Sequence, residues 1–466
     1  MKEYEEFIAK KYMESIKCGF TVEIQDINKS LFEWQKHICK WALIKGKCAI
    51  FADCGLGKTI IELEWARHIS EHTNKPVLII APLAVSKQTK REGDKFGIPA
   101  RICARETDVK PGINITNYEK LDHFDCSVFG GVVLDESSIL KSFSSATRKL
   151  LTEKFCKTPY KLCATATPSP NDFMEIGNHA DFLDIMSRTE MLATYFVHDM
   201  DNTQSWRLKG HAESKFFQWI GSWAVMMKTP GDIGFSDCRY DLPELNIITH
   251  IVDSPIEETE ARQTVIFQPI AQTLDERRSA RKGSMINRAD KAVSLINSDA
   301  DSQWLIWCDY NYESEMLKKL IDGAVEVRGS DTPAHKENSA INFADGQILR
   351  LVSKPSIFGF GLNFQQCHNM IFYGLSDSYE SFYQAVRRCW RFGQNHEVNV
   401  HVIVSEREIS VLENIKRKQS QMDKMTAEMI KLTKDTIVHE IQQTTRITEE
   451  YRPTERAELP EWLRSA

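Results

Sequence analysis

Segment 52–59 combines glycine, lysine and threonine in an order suited to binding the phosphates of a nucleotide. Gly55, Gly57, Lys58 and Thr59 follow an apolar run and precede a helical pattern. Small residues let backbone N–H groups turn towards a phosphate, and the N-terminus of the next helix carries partial positive charge. Lys58 is expected to neutralise the β- and γ-phosphates, and Thr59 to place its hydroxyl on Mg²⁺. The alternative is a glycine-rich loop with a chance Gly-Lys-Thr.

Two acids follow an apolar run further along the chain. Asp135 and Glu136 come directly after residues 131–134, which are predicted to form a strand. The tip of such a strand would place both carboxylates beside the phosphates. Asp135 is the candidate Mg²⁺ ligand, directly or through water, and Glu136 is the candidate base that orients the attacking water. A solvated turn is the alternative for an isolated Asp-Glu pair, and the position after a phosphate motif favours catalysis.

A second cluster, residues 384–394, is rich in arginine. Arg388 and Arg391 are three residues apart and would share one face of a helix. Planar, permanently charged guanidinium groups can stabilise charge on a departing γ-phosphoryl group. Both residues are candidate catalytic arginines supplied by a different domain, so hydrolysis would depend on domain closure. The alternative is a solvated arginine pair on a surface helix.

Elements that can position these residues are predicted from apolar, β-branched runs that alternate with helical patterns. This alternation is typical of an α/β fold in which parallel sheets are flanked by helices. Each half of the chain could form a doubly wound lobe of about five or six strands. The strands predicted in the first half are 48–51, 77–81, 113–116, 132–134 and 162–165. Those predicted in the second half are 304–307, 325–327, 348–353, 370–373 and 400–404.

Five segments are predicted along the chain. Their bounds are 1–30 for an N-terminal helical segment, 31–184 for the first lobe, 185–245 for a helical, aromatic-rich insertion, 246–405 for the second lobe and 406–466 for a helical extension and tail. Apolar side chains at helical spacing in the insertion favour a helix packed on a lobe, with a base-stacking surface as the alternative. These side chains are Phe216, Trp219, Ile220, Trp223 and Met227. The extension is expected to pack back across the lobes.

Composition limits the class of protein. The 466 residues predict two or three domains, and 42% hydrophobic with 27% charged residues is typical of a soluble globular protein. No run of 18 apolar residues predicts a membrane span, and residues 1–17 do not resemble a secretory signal. The 12 cysteines form no Cys-x-x-Cys pair, which favours reduced thiols in the cytoplasm. A net charge of −6 restricts any nucleic-acid binding to local patches.

Further motifs are similar to those of superfamily 2 helicases, most closely the Swi/Snf-like DNA translocases. Residues 31–35 resemble that family's adenine-reading segment, and 164–168 resemble its Ser/Thr-Ala-Thr-Pro coupling motif. Residues 384–394 fit the pattern Gln-x-x-x-Arg-x-x-Arg-x-Gly-Gln, which favours the Swi/Snf-like branch. The resemblance covers roughly 30–185 and 290–405. It implies two RecA-like lobes, ATP and Mg²⁺ at their interface, and a nucleic-acid path across both.

The resemblance also implies roles for individual residues. Besides the phosphate loop, nucleotide contacts are expected from Gln35, Gly361 and Gln384. Coupling between the ATP site and the nucleic acid is expected from Ser138, Thr165 and Thr167. Nucleic-acid contacts are expected from Pro82, Lys87, Asn117, Ser353 and Asn363. These contacts would hold phosphates without reading bases.

The chain departs from the family pattern at two places. Its phosphate loop is one residue shorter than the usual remodeller form. Ser137 and Ser138 follow the acids where many relatives have Ala-His, and Ser138 is expected to hydrogen bond Thr165 or Thr167. No bromo- or chromo-type reader is visible, and the chain resembles compact bacterial or bacteriophage members more than eukaryotic remodellers.

The sequence therefore predicts an ATP-driven motor that moves along duplex DNA independently of base sequence. The basic run 277–291 is a candidate phosphate-contacting patch, with an exposed loop as an equal alternative. A strand-separating helicase on DNA or RNA is the first alternative function. An ATP-gated DNA-binding module that recruits a modification enzyme is the second. A small-molecule kinase would leave the second lobe unexplained, and no protein partner is indicated.

Overall fold

The computed structural model describes residues 18–83, 85–141, 145–199, 202–236, 240, 242–253, 274–358 and 363–442. Two parallel sheets flanked by helices lie within these residues, which confirms the predicted α/β fold with two RecA-like lobes. Among the site predictions, Gly361 lies outside the described residues. Most of the predicted N-terminal segment and the tail after residue 442 also lie outside them.

A parallel seven-stranded sheet forms the centre of the first lobe. The strands up to residue 227 are β1 (Lys47–Ala52), β2 (Val77–Ala81), β3 (Ala100–Ile102), β4 (Ile113–Asn117), β5 (Gly131–Asp135), β6 (Tyr160–Ala164), β7 (Phe196–Asp199), β8 (Asn202–Leu208) and β9 (Ala224–Met227). The sheet order is β3-β4-β2-β5-β6-β1-β9, and β7 with β8 forms a separate antiparallel hairpin. The helices are α1 (Glu33–Lys45), α2 (Lys58–Thr73), α3 (Ser86–Phe96), α4 (Ala146–Lys154), α5 (Ile176–Phe182), α6 (Arg188–Tyr195) and α7 (Glu213–Gly221).

A parallel six-stranded sheet forms the centre of the second lobe. Its strands are β10 (Leu245–Val252), β11 (Trp304–Trp307), β12 (Ala324–Glu326), β13 (Arg350–Ser353), β14 (Asn369–Phe372) and β15 (Val398–Ser405), in the order β10-β15-β14-β11-β13-β12. The helices are α8 (Leu274–Gly283), α9 (Met285–Ser298), α10 (Asn311–Leu320), α11 (Pro333–Ala344), α12 (Pro355–Phe358), α13 (Tyr379–Val386) and α14 (Ile409–Gln442).

Burial on both faces explains why the central strands are almost wholly apolar. Every residue of β2 is buried, and so is every residue of β5 up to and including Asp135. Helices cover both faces of a parallel sheet, so apolar side chains are favoured at successive positions. The one polar residue of β5, Asp135, lies at the carboxyl end of the strand, which is the edge where the candidate site lies.

Segment 185–245 contains the predicted helices and also three strands that were not predicted from the sequence. Strand β9 joins the first sheet and pairs in parallel with β1. The apolar stripe from Phe216 to Met227 is buried at all five predicted positions, which confirms packing against a lobe. The predicted helix is too long, because α7 ends at Gly221 and Met227 lies on β9. The same burial rules out base stacking by these side chains. The segment is therefore part of the first lobe's sheet and not only a helical insertion.

Helix α14 leaves the second lobe and packs across the first. It contacts α1, α7 and β9, as expected for its apolar face. The Lys228 ammonium lies 2.8 Å from Asp423 Oδ1, and His37 Nδ1 lies 2.9 Å from the Ile441 carbonyl oxygen. The lobes are thus joined by a helix in addition to the linker before β10. No helix among the described residues has the length and apolarity needed to cross a membrane.

Candidate functional site

The phosphate loop, residues 53–57, connects the end of β1 to the start of α2. Gly55 and Gly57 have φ angles of +88° and +67°, a conformation that side chains with a Cβ atom rarely adopt. A Cβ atom on Gly57 would also lie 2.5 Å from Gln35 Nε2. Lys58 Nζ donates to the Ala52 carbonyl oxygen at 2.8 Å, so the lysine lies over the loop. The cradle predicted from the sequence therefore has the required backbone shape.

Gln35 supports the phosphate loop from α1. Its Nε2 donates to the Leu56 carbonyl oxygen at 3.2 Å, and its Oε1 accepts from the Phe32 backbone N–H at 3.0 Å. The side chain is buried beneath the loop. In this geometry the amide orders the loop, and its predicted contact with the adenine base stays a prediction.

The two predicted acids lie at the end of β5 and differ in their environments. Asp135 is buried, and burial, reinforced by the charge of Glu136, raises its pKa to about 7. Lys58 partly opposes this rise in pKa. Glu136 has a φ of +53°, a strained angle for a residue with a side chain. Its Oε2 accepts from Thr165 Oγ1 at 3.3 Å, so the candidate base is joined to the loop after β6.

The predicted link through Ser138 is wrong in this structure. Ser138 Oγ donates to the Glu136 carbonyl oxygen at 3.5 Å and does not bond Thr165 or Thr167. Thr165 itself makes the connection, because it bonds Glu136 and its Oγ1 also accepts from the Thr167 backbone N–H at 3.1 Å. A hydroxyl group can donate one hydrogen bond and accept another, and that of Thr165 does both here. The hydroxyl of Ser138 instead donates to the Glu136 carbonyl oxygen.

Glu62 belongs to the same cluster and was not predicted. It lies one helical turn after Lys58 on α2, is completely buried, and has no hydrogen-bond partner for either oxygen among the described residues. Burial raises its pKa well above the ordinary value, and the charge of Asp135 raises it further. Its spacing of four residues from Lys58 was the only signal in the sequence. Carboxyl groups thus converge on the lysine from α2 and β5.

The predicted arginines do not share a helix face. Helix α13 ends at Val386, and residues 387–393 form a series of turns, here called the arginine turn. Arg388 Nε donates to the Gln384 carbonyl oxygen at 2.9 Å, and its Nη2 donates to Gln384 Oε1 at 3.1 Å. Burial, reinforced by the neighbouring charge of Arg388, lowers the pKa of Arg391 to about 10. The prediction of a shared helix face failed because two arginines three residues apart can lie either on a helix or in a series of turns.

The arginine turn touches the phosphate loop directly. A Cβ atom on Gly55 would lie 3.1 Å from the Phe392 backbone nitrogen and 3.6 Å from Arg391 Cβ. Cys54 Sγ donates to Gln384 Oε1 at 3.5 Å. Two motifs more than 300 residues apart in sequence therefore form opposite walls of one cleft.

Three residues at this contact were missed by sequence reasoning. Arg387 Nη2 lies 2.8 Å from Asp53 Oδ2 and donates to the Cys54 carbonyl oxygen at 2.6 Å. The Tyr383 hydroxyl donates to Asp53 Oδ1. Arg387 directly precedes a predicted arginine, but a partner on a different lobe leaves no local signal in the sequence.

The predicted nucleic-acid contacts fall into two groups. Asn117 and Ser353 are buried, and they bond the Lys120 backbone N–H at 3.1 Å and the Val327 carbonyl oxygen at 3.1 Å. Both side chains thus have partners within the protein, and their predicted contacts with a phosphate stay predictions. Pro82, Lys87 and Asn363 are partly or fully exposed. We call the exposed side of the cleft, which contains Lys87, the track face.

The basic run 277–291 is not an exposed loop, and two of its arginines are not available to phosphates. Arg281 Nε lies 2.7 Å from Glu313 Oε1 and its Nη1 lies 2.9 Å from Asp309 Oδ2. Arg288 Nη2 lies 3.3 Å from Glu313 Oε1. Both guanidinium groups and Glu313 are buried inside the second lobe, whereas Asp309 is partly exposed. The run forms parts of helices α8 and α9 and anchors them.

Family models match both lobes. The SNF2-related domain matches residues 34–205, and the helicase conserved C-terminal domain matches residues 287–393. The chromatin-remodelling ATPase INO80 of Arabidopsis thaliana is 29% identical over 227 residues, which are 41% of this chain and 14% of that protein. The chain thus spans a small part of the relative's length. The Sulfolobus solfataricus SWI2/SNF2 ATPase core, solved in complex with dsDNA, aligns with a TM-score of 0.42 and 17% identity, covering 91% of this chain and 99% of that chain.

Proposed function

Because the chain belongs to the Swi/Snf-like ATPases of superfamily 2, we propose that it hydrolyses Mg²⁺–ATP between its lobes and thereby moves along duplex DNA. The observation that carries the proposal is the contact between the phosphate loop and the arginine turn. This contact brings the groups proposed to bind a nucleotide and the groups proposed to stabilise phosphoryl transfer into one cleft from two lobes.

The residues present fit a magnesium nucleotide. The glycine cradle and the start of α2 offer backbone N–H groups to phosphates, and Lys58 offers a charge. Thr59 and the buried Asp135 would hold Mg²⁺, which would screen the phosphate oxygens during transfer. Asp135 must lose its proton to serve as a ligand, so metal binding and proton release are linked at this site.

Hydrolysis requires an oriented water and stabilised charge. Glu136 is proposed to accept a proton from the water, and Thr165 holds its carboxylate in place. Arg388 and Arg391 are proposed to approach the γ-phosphate from the second lobe. Their burial strengthens the electrostatic interaction, since little water remains to screen it.

Movement would follow from the division of the site between lobes. Each hydrolysis cycle would loosen and restore the contact between the phosphate loop and the arginine turn, and the lobes would change their separation on the DNA. The track face would hold phosphates in a way that depends on salt and not on sequence. DNA is the proposed partner ahead of RNA, and the cytoplasm is the proposed location. A bacterial or bacteriophage origin stays a prediction.

Strand separation is a second candidate, favoured by the antiparallel hairpin β7–β8. This hairpin forms its own sheet beside the first lobe. For this candidate, we propose that the hairpin would enter the junction between paired and separated strands. The ATP-gated binding module is a third candidate, which differs from the others in requiring no movement.

Two assays at one salt concentration separate the candidates. ATPase rates are compared without polymer and with single-stranded DNA, duplex DNA and RNA. Displacement of a third strand from a triplex is then compared with unwinding of a fork. We expect duplex DNA to stimulate hydrolysis most, by about tenfold or more, and the triplex strand to be displaced. Fork unwinding without triplex displacement would contradict translocation, and tight ATP-dependent DNA binding without stimulation would favour the binding module.

A further inference from the structure

A buried ion pair connects the two lobes at the phosphate loop. Arg387 is 2% exposed and Asp53 is 11% exposed. One nitrogen of Arg387, Nη2, contacts both the Asp53 carboxylate and the Cys54 carbonyl oxygen. Both interactions would therefore break together if this guanidinium moved.

Asp53 is held by more groups than a simple ion pair requires. Its Oδ1 accepts from the Cys54 backbone N–H at 2.7 Å and from the Tyr383 hydroxyl. Its own backbone N–H donates to the Met227 carbonyl oxygen at 3.0 Å. The carboxylate thus joins the phosphate loop to α13, while its backbone joins the loop to β9.

Packing fixes the plane of the Arg387 guanidinium. The group lies 4.7 Å from the centre of the Trp390 ring, and Trp390 Nε1 donates to the Pro243 carbonyl oxygen at 2.8 Å. A planar cation can stack on an aromatic face and bond at its edge simultaneously, which an ammonium group does less well. The arginine is therefore suited to holding a fixed distance between the lobes.

The charge of Arg387 is already balanced by Asp53. This distinguishes it from Arg388 and Arg391, whose pKa values are lowered by burial. A neutralised pair contributes little to charge stabilisation at a γ-phosphate, but it can fix the loop that binds the phosphate.

We propose that Arg387 and Tyr383, acting through Asp53, are positioning residues that fix the phosphate loop against the arginine turn. The proposal rests on the proposed ATPase function and names a contact that it requires. In the absence of this contact, the loop would still bind phosphates but would not keep them at the distance that the catalytic arginines need.

The test compares a neutral replacement of this pair with a neutral replacement of another pair between the lobes. The double variant Asp53→Asn/Arg387→Gln removes both charges together, so no unpaired charge is left buried. The matched control is Lys141→Met/Glu380→Gln, which removes an ion pair between the lobes away from the phosphate loop. Thermal unfolding first establishes that both variants fold.

Single-turnover hydrolysis without DNA is measured beside the affinity for a non-hydrolysable ATP analogue. We expect the Asp53/Arg387 variant to hydrolyse ATP at least about tenfold more slowly and to bind the analogue within about threefold of the wild type. The control should hydrolyse within about twofold of the wild type. Tyr383→Phe, which removes one bond to Asp53, should fall between them.

Small-angle X-ray scattering supplies a measurement that does not depend on activity. We expect a larger radius of gyration for the nucleotide-free Asp53/Arg387 variant than for the wild type, and no change for the control. A wild-type hydrolysis rate in the Asp53/Arg387 variant, or an equal reduction in the control, would overturn the proposal. Failure of DNA to stimulate the wild-type enzyme would contradict the proposed function alone, because this test uses no DNA.

Discussion

The nucleotide cleft and the track face hold their charged side chains in opposite ways. In the cleft, Asp135, Arg387 and Arg388 are buried, and the two arginines bond groups within about 3 Å. On the track face, Lys87 and Arg91 of α3 are 67% and 64% exposed and share one carboxylate, Glu337 of the second lobe. Exposed pairs of this kind contribute ~0–1 kcal/mol.

This difference follows from what each surface is proposed to do. Phosphoryl transfer requires groups fixed to within a fraction of an ångström, and burial with many bonds provides that precision. A protein that binds DNA independently of its sequence must be able to slide along the duplex. Mobile, exposed charges permit this sliding because no single contact is strong. Single substitutions in the cleft should therefore change the rate of ATP hydrolysis. Substitutions on the track face should change the affinity for DNA and its dependence on salt.

Glu136→Gln should produce the largest effect. The amide keeps the size of the side chain and its contact with Thr165 but cannot accept a proton. Hydrolysis with duplex DNA should fall about 100-fold or more, while ATP binding changes little. Steady-state ATPase and fluorescent nucleotide titration measure the two quantities. Glu106→Gln, on an exposed turn of the same lobe, is the control, and robust hydrolysis in the Glu136 variant would remove this residue from the proposed role.

Arg388→Ala and Arg391→Ala should each slow hydrolysis by about tenfold to 100-fold. ATP affinity should change less, because both groups are proposed to act chiefly on charge that develops during transfer. The same two measurements apply, with Arg417→Ala on the exposed side of α14 as control. An equal reduction of affinity and rate would mean that these arginines bind the ground state.

Glu62→Gln and Glu64→Gln compare how two buried acids of α2 contribute to the free energy of unfolding at different pH. Glu62 has a pKa well above 4.5, so the folded state retains a proton that the unfolded state releases, and wild-type stability falls as pH rises above 4.5. The amide that replaces this carboxyl group cannot ionise. Glu62→Gln should therefore stabilise the protein near pH 8, with the gain shrinking towards pH 4.5.

Glu64 lies two positions away and should behave in the opposite way. Bonds from His68, Arg67 and the Asn28 backbone outweigh burial and lower its pKa to about 2. Its contribution to stability is present above pH 4.5 and disappears as pH falls towards 2. Glu64→Gln should destabilise the protein at pH 7 and have little effect near pH 2. Urea denaturation across this pH range measures both variants, and parallel pH profiles would contradict the assignment.

The track face should give the smallest effects. Lys87→Ala with Arg91→Ala should weaken duplex binding by about threefold to tenfold and reduce the salt slope by about one for each phosphate that is no longer neutralised. Hydrolysis without DNA should not change. Glu337→Gln should strengthen binding slightly, because it releases both cations from their shared partner. Fluorescence anisotropy at several salt concentrations measures these effects, and an unchanged slope in the double variant would place the DNA elsewhere.

The parts of the fold that follow from contiguous residues could be predicted from the sequence. The predicted strand 77–81 coincides with β2, and 132–134 lies within β5, because buried parallel strands are apolar throughout. The phosphate loop was recognisable since its glycines and lysine are adjacent. Strand β9 was missed because its four apolar residues overlap the end of the predicted helical stripe, which includes Met227.

The remainder of the candidate site depends on contacts that have no local pattern. The bond from Arg387 to the Cys54 carbonyl oxygen joins residues 333 positions apart. Arg281 pairs with Glu313, so part of the run that appeared to be a basic surface patch lies inside a lobe. A residue's charge is visible in the sequence, whereas the partner that neutralises it is visible only in three dimensions.

The position of β9 has a consequence for how the first lobe can be divided. The SNF2-related match ends at residue 205, but the sheet is completed by residues 224–227, which cover the side of β1. A fragment ending at 205 would expose the backbone groups of β1, the strand that leads into the phosphate loop. An exposed strand edge of this kind can pair with strands from other molecules, so such a fragment is expected to aggregate. A fragment that extends beyond Met227 keeps this edge of β1 paired with β9.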